Sequence, residues 1–212
     1  EDTTADWALL ETPYGPGTAL SFNGSDSYLS TGAGGDVLGL VGASFTVEAW
    51  VKADALSGDH SIIGQDASGT REGLHLVLRN GNVHMGFFSD DLTGDTALQT
   101  GQWYHVAYVF DATTDRQEVY LNGSSDGART AEGDFAGTAP VQIGRWGGGN
   151  YFDGEMDELR IWSEARTEDD IQATMHQTVP ADTTGLVASY RFDAAQTGQR
   201  LDDSHSGTTT YD

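Results

Sequence analysis

Apolar and polar residues alternate with a period of two in short runs along most of this chain. Turn residues break the runs at intervals of roughly ten positions, the pattern of antiparallel strands with one face in a core. The clearest case is Leu74-His75-Leu76-Val77-Leu78-Arg79 and Val83-His84-Met85-Gly86-Phe87-Phe88 on either side of Asn80-Gly81-Asn82. Asn-Gly between two apolar runs predicts a tight hairpin, because both central positions of such a turn need positive φ. Further strands are expected over 103–110, 117–121 ahead of an Asn122-Gly123 turn, 141–145, 157–162 and 186–192. One segment departs from period two. Thr167 with Asp170 makes a capping-box-like start, and Ile171 with Met175 is an apolar i, i+4 pair. They predict a short helix over 168–176 lying on a sheet edge.

Four segments carry a resemblance to a known family: Ala19-Leu20-Ser21-Phe22-Asn23-Gly24-Ser25-Asp26-Ser27-Tyr28-Leu29, Ser44-Phe45-Thr46-Val47-Glu48-Ala49-Trp50-Val51-Lys52, Gly101-Gln102-Trp103-Tyr104-His105-Val106-Ala107 and Phe152-Asp153-Gly154-Glu155-Met156-Asp157-Glu158-Leu159-Arg160-Ile161-Trp162. In this order the chain resembles the laminin-G-like jelly roll of the concanavalin A-like lectin and glucanase superfamily. The resemblance implies an all-β, antiparallel β-sandwich jelly roll, one domain over residues 1–212. The core motifs fall within 17–193, and 194–212 resembles the family's linking segment. In tandem arrays of the family that segment precedes the Trp and the Ala-Leu-x-Phe-x-Gly motif of the next unit. Trp7 and residues 19–24 resemble that pair, so the chain reads as one unit of a longer repetitive protein. Abundant glycine (28) and scarce proline (4) agree with an all-β chain rich in turns.

Charge narrows the partners. The net charge is −23, from 33 acidic residues against ten basic ones, and Lys52 is the single lysine. Nucleic acid needs the opposite sign, and so does an anionic membrane surface. No stretch of about 18 apolar residues predicts a membrane span, so direct membrane insertion is not expected. With no cysteine, disulfides, thiolate metal sites and cysteine catalysis are unavailable. So much negative charge repels itself. It fits a halophilic protein adapted to high salt and equally one that collects divalent cations.

Several clusters could carry chemistry. Asn23 and Asp26 on a tight turn offer oxygens of the kind Ca2+ takes, and the family resemblance implies a structural Ca2+ between this loop and Asp157; Asx hydrogen bonds shaping a turn are the plainer reading. Ser89-Asp90-Asp91-Leu92-Thr93-Gly94-Asp95 reads as a rim metal site or a solvated acidic loop, and Asp66 and Glu72 carry the same two readings. Glu155 and Asp157 share a strand face, whereas strict alternation turns Glu158 away. The carboxylate triplet that the resemblance to jelly-roll glucanases would require is thus incomplete. His75 and His84 sit on the two strands of the hairpin and can meet across it, a structural pair unless a third ligand completes a zinc site. The candidate ligand-binding loop is Gly144-Arg145-Trp146-Gly147-Gly148-Gly149-Asn150-Tyr151. Arg145, Trp146, Asn150 and Tyr151 supply aromatic faces and planar polar groups that suit a carbohydrate, although Trp146 could instead cap the core rim.

These residues and the resemblance lead to an expectation of a non-catalytic, calcium-stabilised module that binds a glycan or cell-surface carbohydrate. It is expected to be a monomeric domain within a multidomain, secreted or cell-surface, adhesin-like chain. The alternatives are a structural spacer without ligand and an accessory domain of a polysaccharide-degrading enzyme.

Self-repulsion gives a first test. Raising KCl from about 0.01 M to 1 M at fixed Ca2+ shortens the screening length from roughly 30 to 3 Å. The urea or thermal unfolding midpoint is expected to rise across the series; a flat or falling midpoint would show that repulsion is not a substantial destabilising term.

Overall fold

Period-two alternation becomes strand throughout the computed structural model, which describes residues 18–193. The segment expected as a linker at 194–212, and the leading residues with Trp7, lie outside the described residues. In chain order the elements are β1 (Leu20–Asn23), β2 (Leu29–Gly34), β3 (Phe45–Ala53), β4 (Asp59–Gln65), β5 (His75–Arg79), β6 (Asn82–Gly86), β7 (Asp91–Thr93) and β8 (Trp103–Asp111). There follow β9 (Arg116–Leu121), β10 (Ser124–Thr130), β11 (Pro140–Ile143), β12 (Arg145–Trp146), β13 (Asn150–Tyr151), β14 (Asp153–Trp162), α1 (Glu168–Thr174) and β15 (Leu186–Tyr190). All strand pairings are antiparallel, and α1 is the one helix among the described residues.

Two sheets make the sandwich. One runs β1-β14-β3-β8-β9-β10, with β15 also on β14; the other runs β2-β11-β4-β5-β6-β7. β1 pairs with the first part of β14 and β15 with the last part, so the two described ends of the chain share one edge, where Thr18 Oγ1 donates to the Phe192 carbonyl. Between the sheets Phe45, Phe87, Phe110 and Phe135 pack with ring centroids 5.2 to 6.0 Å apart. Edge-on and tilted pairs at this spacing add to the burial itself. The hairpin at Asn80-Gly81 is as expected, with φ of 50° and 86°. Asn122-Gly123 makes the same turn, at 50° and 80°, and leads into β10. That strand escapes the sequence reading because its mostly polar residues lie at a sheet edge, where no apolar face is required.

α1 begins as expected: Thr167 Oγ1 accepts from Asp170 N, and Asp170 accepts from Thr167 N. The helix lies over the edge strand β10, as expected, and reaches inward across the sheet. Ile171 packs on Ala107, Val109 and Tyr120, which belong to the interior strands β8 and β9. The outer face of the seven-stranded sheet is thus a second buried layer, and it is charged. Glu48 is fully buried and accepts from Arg160 Nη1 at 3.4 Å, Arg166 Nη1 at 3.1 Å and Trp162 Nε1 at 3.0 Å. Arg160 also donates to the carbonyls of Thr174 and Gln177, tying the helix end to the sheet.

Removing one partner of a buried, hydrogen-bonded ion cluster strands the others, at about 3–5 kcal/mol. Glu48→Ala is expected to lower unfolding free energy by that amount in urea titration, and Glu48→Gln, which keeps an acceptor, by less. The half-exposed pair Arg116 and Glu118 is the control: Arg116→Ala should cost under about 1 kcal/mol.

Candidate functional site

The glycine-rich loop folds as a small hairpin between β11 and β14. Gly144 N donates to the Ile62 carbonyl and Phe152 N to the Gly144 carbonyl, both at 2.9 Å, which fixes the hairpin base against β4. Gly147 and Gly148 turn the chain at φ of 59° and 73°. Register pairs Arg145 with Tyr151 and Trp146 with Asn150. Residues paired across a ladder project to the same side, so the four candidate ligand-binding residues split between the two faces of the hairpin.

Arg145 and Tyr151 build one cluster with Tyr28 and Asp66. The Arg145 guanidinium carbon lies 4.8 Å from the Tyr28 ring centre and 5.9 Å from that of Tyr151. The two tyrosine rings are 6.4 Å apart at 50°. Asp66 holds the arrangement, accepting from Arg145 Nη2 and from Gly148 N, each at 2.8 Å. Asp66 is therefore a clamp on the hairpin. Tyr28 is missed by the sequence reading; it lies in a quoted motif, but only the fold sets it beside residue 145.

Trp146 faces the other way, onto the six-stranded sheet. It neither caps the core rim nor joins the tyrosines. A Cβ on Gly64 would come within 2.3 Å of the Trp146 Cβ, so the absent side chain is what lets the hairpin lie this close. The indole stacks on His75 at 4.4 Å and 17°, and His75 stacks on His84 at 5.5 Å and 26°. Asn150 Nδ2 bonds the Trp146 carbonyl at 3.3 Å and serves the hairpin itself.

The residues expected to hold calcium do not assemble. Asn23 pairs with Asp153; Asp157 is four residues further along β14, roughly 13 Å at strand rise. Asn23 Oδ1 already accepts from Ser25 N, Ser25 Oγ, Asp26 N and Ser27 N, and its Nδ2 donates to Asp26 Oδ1 at 2.7 Å. This is an Asx-organised turn with its amide oxygen fully used. Asn23, Asp26 and Asp157 thus do not fit one calcium centre.

Three carboxylates of β14, those of Glu155, Asp157 and Glu158, are engaged. Glu155 pairs with Lys52 at 3.0 Å. Strict alternation fails at Glu158: φ is 49°, and the register against β3 slips between Asp157 and Arg160. At this bulge the Glu158 carboxylate turns to Arg160 Nη2, 2.7 Å away, rather than to the opposite face. Asp157, 2% exposed, accepts from Glu158 N at 2.8 Å. Burial first, and then the neighbouring Glu158 carboxylate, push its pKa up to about 8.

A family model described as the concanavalin A-like lectin/glucanases superfamily matches residues 23–172. No curated protein matches by sequence. Among solved structures, a Bacteroides ovatus protein assigned to carbohydrate binding superposes with a TM-score of 0.69 at 24% identity. The match covers 87% of this chain and 54% of that one, so this chain spans about half its length. Domain 4 of an extracellular arabinanase from Geobacillus stearothermophilus, solved with arabinotriose, gives 0.64 at 26% identity over 82% of both chains. The CBM40 of a Ruminococcus gnavus IT-sialidase, bound to α2,3-sialyllactose, gives 0.61 at 16% identity, over 73% of this chain and 95% of that one.

Asp157 yields a pH test. Between the ordinary carboxylate range and about pH 8 the folded protein keeps a proton there that the unfolded chain has released, so this group makes stability fall as pH rises, by at most about 1.4 kcal/mol per pH unit. Asp157→Asn is expected to be the more stable protein at pH 8, with the advantage vanishing near pH 4. Parallel unfolding curves for the two proteins across that range would refute the assignment.

Proposed function

The chain belongs to the concanavalin A-like lectin/glucanase superfamily, and from that premise we propose that it is a non-catalytic glycan-binding module whose contact surface is Tyr28, Arg145 and Tyr151. The observation that carries this reading is the guanidinium of Arg145 set against two half-buried tyrosine rings and locked by Asp66. Sugar rings present C–H faces that stack on aromatics and hydroxyls that bond planar donors. A cluster held by an ion pair and a backbone bond loses little freedom on binding. The arabinotriose and sialyllactose complexes of similar folds support a carbohydrate as ligand class. The engaged carboxylates of β14 support a non-catalytic role. Among the described residues no helix is long and apolar enough to cross a membrane. Within this reading the module acts outside the cell as part of a larger adhesin-like chain.

A second reading has its own support. The arabinanase match covers most of both chains at 26% identity and is itself one domain of an extracellular enzyme. An accessory domain that holds a polysaccharide for a catalytic neighbour would use the same surface.

A single aromatic contact adds about 1 kcal/mol, so a monomeric site should bind near the millimolar range. A multivalent form on a glycan array, followed by calorimetry with arabino-oligosaccharides, is expected to show binding. Tyr28→Ala and Tyr151→Ala should each weaken it about fivefold at unchanged melting temperature. If no glycan binds, the spacer role replaces this one; if both variants bind as the parent does, the Tyr28, Arg145 and Tyr151 surface is not the binding site.

A further inference from the structure

Two features that look structural in the sequence meet on the outer face of the six-stranded sheet. His75 and His84 come from the hairpin, and Asp91 comes from the acidic loop directly after it. His75 Nε2 lies 3.6 Å from Asp91 Oδ1, and His84 Nε2 lies 4.0 Å from Asp91 Oδ2. The ligand atoms of all three residues fall within 4.8 Å of one another. We propose that His75, His84 and Asp91 form a binding site for a divalent transition-metal ion, with Zn2+ the best match. This proposal is independent of the glycan surface, which lies on the opposite face of the β12–β13 hairpin.

The donor set selects the ion. Two imidazoles and one carboxylate suit zinc and its first-row neighbours, whereas Ca2+ and Mg2+ want oxygen. Zinc bonds of about 2.0–2.2 Å in tetrahedral geometry bring ligand atoms to roughly 3.3–3.5 Å of one another. The 3.6 Å separation is nearly there, the 4.0 Å separation from His84 closes by adjustment of Asp91, which sits half-exposed on the sheet-edge strand β7, and the two imidazole nitrogens, within 4.8 Å of each other, close by a small rotation of His84. Three protein ligands leave a fourth position for water.

Hydrogen bonding fixes the tautomers in favour of this arrangement. His75 Nδ1 is 2.9 Å from the Gly73 carbonyl, which can only accept, so Nδ1 carries a proton and Nε2 is the nitrogen open to a metal. Nε2 then faces the Asp91 carboxylate, whose Oδ1 is buried 3.6 Å away. Nε2 and the carboxylate face each other, a contact completed by a cation between them, either a proton on Nε2 or a metal ion in its place. A carbonyl behind a ligating imidazole is the usual outer partner of a metal histidine. Arg79 Nη1 can only donate, so His84 Nε2, 2.7 Å from it, carries no proton and holds a lone pair.

The rings are also held in place. His75 lies between Trp146 and His84 in the stack and rests directly over Gly86, where a Cβ would come to 1.9 Å from Nε2. Arg79 sets the terms of entry. Asp59 holds it through Nε at 2.7 Å and Nη2 at 2.6 Å, leaving Nη1 to donate to His84 Nε2 at 2.7 Å. That bond occupies the lone pair a metal would take. A bound ion must displace Nη1, so the guanidinium competes with it.

The test is titration of the folded protein with Zn2+ in millimolar Ca2+, which occupies the acidic surface, read by calorimetry and melting temperature. Co2+ serves as the spectroscopic probe. One zinc per chain, a raised melting temperature and visible Co2+ bands of a low-coordinate site are expected. His75→Ala and Asp91→Asn should each lower zinc affinity about tenfold or more. Arg79→Gln should raise it, and Gly86→Ala, which keeps every ligand but displaces the His75 ring, should lower it. If His75→Ala does not fold, Asp91→Asn at its half-exposed position decides the matter. Absence of saturable zinc binding, or zinc binding undiminished in Asp91→Asn, overturns the proposal and leaves His75 and Asp91 as a proton-linked ion pair.

Discussion

Glu48 is a carboxylate with no access to water, and the face of the seven-stranded sheet that carries it holds only because Arg160, Arg166 and Trp162 surround it. An isolated buried charge would cost many kcal/mol. The cluster therefore works as a unit, and it decides where α1 can lie, since Arg160 reaches through to the carbonyls of Thr174 and Gln177. The bulge at Glu158 belongs to the same constraint. It spends an extra residue on β14 so that Asp157 and Arg160 register with Trp50 and Glu48. This face is sealed by polar bonds beside the apolar patch of Ile171, Ala107, Val109 and Tyr120.

With that layer closed, the opposite sheet is free to carry side chains with other work. The β12–β13 hairpin is the organising piece there, and its position rests on small residues. Gly64 admits Trp146, and Gly144, at φ 82°, lets the chain pass Phe22. The hairpin turns two faces to two surroundings. One presents Arg145 over a tyrosine pair; the other places an indole at the head of a stack with His75 and His84. Function on this fold is then a matter of which side chains a short ladder sends to each side.

The strong negative charge has a different character. Only part of it is structural: Glu48, Asp59, Asp66, Asp90, Glu118, Glu155 and Glu158 each have a cationic partner at bonding distance. With ten basic residues against 33 acidic ones, most carboxylates have no such partner available. They set the long-range field, and with it the dependence on salt.

The sandwich is legible in the amino-acid order alone. Period-two alternation, two Asn-Gly turns and a capping box are local signals, legible because strand pleat, positive φ and helix ends each demand particular residue types within a few positions. The four motifs determined the family for the same reason. How distant segments share a surface is set by the three-dimensional packing. β10 was invisible because an edge strand needs no apolar face, and Asp157 was set apart from Asn23 by a register that no local pattern encodes. Tyr28 reached Arg145, and Asp91 reached the two histidines, because pairing joins segments far apart in the chain. A bulge at one residue overturned the alternation on which the placement of Glu158 depended.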